Sequence, residues 1–144
     1  MKIEIDQSGR VEYTSKPTVV GFSNSKEKTI IILATEKQKL QKYFRKANKP
    51  HVFIYKVFAI LILLLLKNEH IEQIIIDREY LGQENLIKSY LLDLLRRTRK
   101  DFDKKDITFK SIGKKSRAHT LVYNAYRTKK ADISVRAEEI RKFI

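Results

Sequence analysis

Ile3 and Ile5 alternate with Lys2, Glu4 and Asp6, the two-residue period of a half-buried strand. Gln7-Ser8-Gly9 is a turn signal, and Val11 and Tyr13 resume the alternation over Arg10–Thr14, so a hairpin is expected. Pro17 interrupts the pattern. Thr18–Ser23 is β-branched and aromatic, Asn24-Ser25 reads as a turn, and Lys28–Ala34 carries the apolar run Ile30–Leu33. The first 34 residues therefore predict three or four consecutive, mostly antiparallel strands.

The period then lengthens. Thr35 and Gln38 have capping-box spacing, and a basic helix is expected from there to Ala47, ended by Asn48-Lys49-Pro50. Val52–Leu66 holds fourteen apolar or aromatic residues and one charge, Lys56; its uninterrupted part, Val57–Leu66, is ten residues long. A bilayer needs about 20 such residues, so the segment predicts a buried helix rather than a membrane span. A helix apolar all round must be covered on several sides, by a sheet and a second layer or by a second copy of the chain in a homodimer. Gln73–Asp77 reads as a short strand and Gln83–Arg99 as an amphipathic helix with Ile87, Leu91, Leu94 and Leu95 on one stripe. Asp106–Ile112 reads as a strand, Gly113 as a break, Ser116–Lys130 as a helix with Ala118, Leu121, Val122 and Ala125 inward, and Val135–Phe143 as a short helical tail.

Composition narrows the chemistry. The 144 residues contain no cysteine, which removes disulfides, thiolate metal sites and a cysteine nucleophile. There is no P-loop, no Gly-x-Gly-x-x-Gly, no zinc-type His/Cys spacing, and His51, His70 and His119 lie in no nucleophile elbow. The charged, alternating start lacks a secretory h-region, so a cytoplasmic location is expected. Net charge is +14 and uneven: residues 96–144 hold 16 of the 31 basic residues against six acids. Arg96, Arg97, Arg99 and Lys100 fall at one helix end; Lys110, Lys114, Lys115 and Arg117 flank the last strand; Arg127, Lys129 and Lys130 end the following helix. The helix macrodipole favours some terminal cations but not this number, and such clusters suit a phosphate backbone. The expected partner is nucleic acid, DNA or RNA. Tyr123 and Tyr126 could stack on bases or belong to the core.

An antiparallel meander followed by βαβαβα, with strands ending Ile3-Glu4-Ile5-Asp6-Gln7-Ser8-Gly9 and Ile74-Ile75-Ile76-Asp77-Arg78-Glu79, resembles the RNase H-like superfamily of ribonucleases H, Holliday-junction resolvases and transposases. The resemblance spans nearly the whole chain in element order. It implies one α/β domain over residues 1–144 with a mixed sheet and helices on both faces. It also implies that the Asp6 and Asp77 strands are parallel neighbours, so that both carboxylates emerge at one sheet edge, where open α/β sheets bind ligands. Two carboxylates so placed repel, and Mg²⁺ or Mn²⁺ relieves the repulsion. Two such ions about 4 Å apart would serve water-driven hydrolysis of a phosphodiester.

On that reading Asp6 and Asp77 are metal ligands, and His119, one turn into its helix with Lys115 and Tyr123 as stripe neighbours, is a third catalytic group. Arg96, Arg97, Lys110, Lys114, Lys115, Arg117 and Arg127 hold the nucleic acid. Glu79 is an outer ligand candidate ranked below His119. Asp132 lies thirteen residues past His119, about 20 Å along a continuous helix, which suits a cap on the tail helix better than the site. Glu138 and Glu139 read as a solvated face. Equally, Asp6 and Asp77 could be turn-initiating residues and His119 a surface side chain. Many family members place a Glu on the helix before the second Asp strand, and Val52–Leu66 has none, which keeps open a non-catalytic nucleic-acid-binding module. The apolar helix keeps open an oligomeric or membrane-peripheral interaction protein.

Overall fold

In the computed structural model, which describes residues 1–98 and 102–144, the opening alternation becomes β1 (Lys2–Ser8), with Ile3 and Ile5 fully buried on one face. It pairs antiparallel with β2 (Thr18–Ser23), which pairs antiparallel with β3 (Glu27–Ile32). The meander has three strands. Arg10–Thr14, expected as the return strand of a hairpin, instead belongs to the turns that join β1 and β2. Local alternation there is overridden by long-range bonds. The Val11 amide donates to the Tyr80 hydroxyl (3.2 Å), and the Lys37 ammonium donates to the carbonyls of Arg10 (3.3 Å) and Tyr13 (2.8 Å). Gly9, at φ +74, makes the exit from β1; a Cβ there would collide with the Pro17 carbonyl.

Two helices follow, α1 (Ala34–Lys46) and α2 (Phe53–Leu66), joined by a 3₁₀ turn at Pro50–Val52. The expected Thr35–Gln38 capping box is absent: Leu33 is the N-cap and makes no side-chain cap bond. Glu36, in the first turn, accepts instead from the Ala137 amide at 3.0 Å, tying the start of α1 to the end of the chain. The remaining elements are β4 (Gln73–Asp77), α3 (Glu84–Thr98), β5 (Ile107–Lys110), α4 (Arg117–Thr128), β6 (Ile133–Val135) and α5 (Ala137–Arg141). The expected helical tail over Val135–Phe143 contains α5, but a strand that the pattern did not announce, β6, precedes it and ends at Val135. Three residues are too short to show a period, and β6 exists because Ile30–Ile32 of β3 offers it a parallel edge.

The fold is α/β, a six-stranded mixed sheet in the order β5-β4-β1-β2-β3-β6 with only β2 antiparallel to its neighbours. Successive strand residues point to opposite faces. Ile3, Ile5, Val20, Phe22, Ile30, Ile32, Ile74, Ile76 and Ile107 form one apolar face, packed in a single core with α1, α2, α3 and α5. α2 is covered by the sheet on one side and by α3 on another. Its one charge, Lys56, sits over the Tyr90 ring of α3 at 5.2 Å. Among the described residues no helix is long and apolar enough to cross a membrane.

The other face is different. Only α4 lies on it, resting on β1, β2 and β3 through Ala118, Val122 and Ala125 against Val19 and Ile31. The helix crosses the strands: His119 meets β1, Val122 lies over Gly21 of β2, and its far end delivers the chain to β6 beside β3. Among the described residues no helix packs on β4 and β5 on this face, and Glu4, Ile75 and Lys110 line an open trough.

Candidate metal centre

Asp6 belongs to the α4 face because it alternates with Ile5. It pairs across β2 with Gly21. At Gly21 a Cβ would lie 2.9 Å from Val122 Cγ2 and 2.9 Å from the Lys28 carbonyl, so glycine is what lets α4 settle onto the sheet there. The same approach brings His119 onto Asp6, Nδ1 to Oδ2 at 3.0 Å. Ser116 fixes that end of the helix as N-cap, its hydroxyl accepting from the His119 amide at 3.0 Å. Asp6 is 3% exposed, and its second oxygen accepts from the Gln7 amide at 2.8 Å.

Asp77 ends β4, which is parallel to β1 and hydrogen-bonded to it. Its Oδ1 accepts from the Ile112 amide at 2.8 Å, so the chain leaving β5 is folded back over the carboxylate. Glu79 follows by two residues, and the Arg78 amide still bonds the Lys110 carbonyl, extending the β4–β5 pairing one step. The Glu79 amide also bonds the Asp77 carbonyl at 3.0 Å, a tight turn that keeps Glu79 beside Asp77. One oxygen each from Asp6, Asp77 and Glu79 lies within 4.8 Å of the other two.

Two of these carboxyls, Glu79 and Asp6, are harder to ionise than usual. Burial raises the Glu79 carboxyl most; a hydrogen bond with Asp77 and the charges of Asp77 and Asp6 add to it, Arg10 opposes it, and it is pushed up to about 7. Asp6 is also raised, first by burial and then by the charge of Asp77, against the Gln7 amide and His119. Burial and crowding thus disfavour full ionisation of the cluster. The donor set fits a hard divalent cation, which takes oxygen ligands and would relieve that repulsion. Asp6, Asp77 and Glu79 could hold such an ion.

A polar layer stiffens this end of the sheet. The Tyr80 hydroxyl donates to Gln7 Oε1 at 3.0 Å and accepts from the Val11 amide, joining the chain after β1 to the chain after β4. The Arg10 guanidinium lies 4.7 Å from the centre of the Tyr80 ring and pairs with Glu12 at 3.1 Å. Lys37 is wholly buried on α1, held by two carbonyls and the Thr18 hydroxyl (3.0 Å), and burial brings its ammonium down to about 8.

The structure brings together Asp6, Asp77 and His119, and adds Glu79 as a full member rather than an outer ligand. Lys110 pairs in register with Asp77, and exposed Lys114, Lys115 and Arg117 lie in the connection that leads into α4 and His119. Arg96 and Arg97 are not brought there. α3 starts beyond the end of β4 and must return to begin the parallel strand β5, so its last turn lies at the opposite end of the sheet, where Arg97 pairs with Asp93 at 2.7 Å. Arg99 and Lys100 lie outside the described residues. Arg127 is eight residues past His119, about 12 Å along α4.

Asp132 is excluded for a reason other than the one expected. The helix stops at Thr128, with Lys129 left-handed, and Asp132 then accepts from the Thr29 amide (2.9 Å), anchoring the start of β6 on β3 rather than capping the tail helix. Glu139 accepts from the Arg136 amide and Glu138 faces Arg136, both exposed. Arg10 and Tyr80 were not visible as site neighbours in the sequence, since nothing local announces that residues 10–16 fold against residues 79–80. Glu79 did carry a signal, its i+2 spacing from Asp77. Comparison with protein-family models, with curated proteins and with solved structures finds no match to this chain.

Proposed function

We propose that this protein is a nuclease of the RNase H-like superfamily that hydrolyses phosphodiester bonds in nucleic acid with Mg²⁺ or Mn²⁺. One observation carries the reading: Asp6 and Asp77, remote in sequence, end up on adjacent parallel strands with Glu79 beside them and His119 bonded to Asp6. The run β3-β2-β1-β4-β5, antiparallel and then parallel, supports the superfamily assignment, because it makes the two Asp strands neighbours as the resemblance requires.

Asp6, Asp77 and Glu79 would hold the cation, which supplies neutralisation and Lewis acidity at the scissile phosphate. The rest falls to the chain. Gln7 and Ile112 amides fix one oxygen each of Asp6 and Asp77, so the carboxylates are oriented before substrate arrives. His119 donates from Nδ1 to Asp6, which sets its tautomer and leaves Nε2, on a side chain 38% exposed, to pass a proton at the reacting centre. Water adds to phosphorus, the P–O bond breaks, and the leaving oxygen takes a proton. Lys110, Lys114, Lys115 and Arg117 hold the flanking phosphates as ionic contacts.

The test is strand cleavage with Mn²⁺ on duplex DNA, RNA–DNA hybrid and a four-way junction, wild type against Asp6→Asn. Cation-dependent cleavage that Asp6→Asn lowers by roughly 100-fold or more, with binding retained, supports the nuclease. Salt-sensitive binding that ignores both EDTA and Asp6→Asn, without cleavage, would reduce the protein to a binding module on the same scaffold.

A further inference from the structure

Of the two tyrosines on α4, the structure separates their roles. Tyr126 is half-buried and packs under Gly9, where its ring would meet any Cβ. Tyr123 is 51% exposed, one of the few large side chains with an apolar ring left open to solvent. It is not isolated. Its ring is nearly parallel to that of His119, 10° between planes and 6.5 Å between centroids, and His119 is in turn bonded to Asp6 of the acid cluster. The two rings share one face of α4, because four residues separate them. The N-terminal approach to the same helix carries Lys114, Lys115 and Arg117, all exposed. Tyr123 takes no part in packing the helix on the sheet, which is done by Ala118, Val122 and Ala125.

We infer that the His119–Tyr123 shelf is a stacking platform for an unpaired nucleobase whose phosphate lies toward Asp6 and the basic approach to α4. This rests on the nucleic-acid reading above and deepens it by naming the substrate class: strands with unpaired bases beside the scissile bond, such as single strands, flaps or junction arms, in preference to a continuous duplex. The physical reason is that a base inside a duplex has both faces occupied by its neighbours, whereas an exposed ring offers its face only to a base that has left the stack. Every base has a π-face, so the platform sorts by pairing state and tolerates sequence. Cations alone on this surface would hold any phosphate backbone equally; the exposed ring pair breaks that equality.

The experiment measures equilibrium binding in EDTA, which prevents cleavage and separates this inference from catalysis. The probes are a single-stranded oligonucleotide with fluorescent base analogues along its length and the same strand annealed into duplex. Wild type, Tyr123→Ala and Tyr123→Phe are compared; Tyr123 is exposed, so each variant should melt with the wild type. The expected result is quenching of the base analogue by wild type and Tyr123→Phe. Tyr123→Ala should lose the quenching and bind the single strand about 10-fold more weakly, with duplex binding unchanged. Equal single-strand affinity and equal quenching in wild type and Tyr123→Ala overturns the platform while leaving nucleic-acid binding intact. Failure of wild type to bind either probe overturns the nucleic-acid reading and the platform with it.

Discussion

The two faces of the sheet are built from the same strands and treated in opposite ways. On one, Phe22, Ile5, Ile30 and Ile74 meet four helices in a continuous apolar core. On the other, a single helix rests on three strands through small side chains, among the described residues no helix packs on β4 and β5, and three carboxylates crowd at one end. Alternation along a strand is what makes this possible, since neighbouring residues answer to different demands. Phe22 and Gly21 are adjacent in sequence, yet one fills the core and the other makes room for α4. Stability is concentrated on the side that the four helices cover, and the side with the acids is free to be polar, open and under electrostatic tension.

Substituting those two neighbours breaks the comparison most directly. Phe22→Ala leaves a cavity in the four-helix face and should cost about 3–5 kcal/mol in urea unfolding, roughly a third to a half of the stability of an average domain. Gly21→Ala acts by overpacking. Its new methyl meets Val122 and a backbone carbonyl that cannot yield, so α4 must lift, at about 1–3 kcal/mol. The lifted helix should also weaken the His119–Asp6 bond, which NMR of the His119 imidazole would report as a change in its chemical shifts. Phe22→Ala in its surviving folded fraction should leave those shifts in place. If the two variants disturb His119 alike, the faces are not separable in the way described.

Legibility in the sequence follows the same division. The four-helix face could be read because burial leaves a pattern: Ile3/Ile5, Ile30/Ile32, Val57–Leu66, Ile74/Ile76 and the Ile87–Leu95 stripe each announce their element. Asp77 could be read as a strand-end acid for that reason, whereas β1 runs past Asp6 through the expected turn residues to Ser8. What failed lies where contacts remote in sequence decide. Val11 and Tyr13 alternate like a strand, but one is buried and bonded to Tyr80 through its amide while the other is exposed beside a carbonyl held by Lys37. Lys37 itself reads as one more surface charge on a basic helix and is fully buried. β6 owes its existence to the edge of β3 and to Asp132 gripping Thr29. Of the basic clusters, Lys110 to Arg117 lie on a short connection next to the acids, whereas placing Arg96 and Arg97 required knowing that α3 runs back from the end of β4.

The electrostatic side of the comparison can be sharpened without touching the apolar face. Glu79 is half-buried and its carboxyl is held at about 7, above the 4.5 of a free glutamate, by burial and by Asp77 and Asp6. A group whose folded value is raised stabilises the fold fully below its unfolded value and loses that contribution as pH rises through its folded value. Without a cation, the protein should therefore become less stable between about pH 4.5 and pH 7, by about 1–2 kcal/mol once partial solvent access is allowed for. Excess Mg²⁺ or Mn²⁺ at pH 7 should recover at least that amount, because it binds only the folded cluster. Glu79→Gln removes the titrating proton and one negative charge together. It should flatten the acid limb of the stability profile, raise the melting temperature at pH 7 in EDTA and shrink the shift that the cation produces. Thermal melts of both proteins across pH 4–8, with and without Mn²⁺, measure all three. A wild-type melt that ignores pH in this window and ignores Mn²⁺ would mean the carboxylates do not repel as their spacing implies, and the functional face would then be held together by the same forces as the rest of the fold.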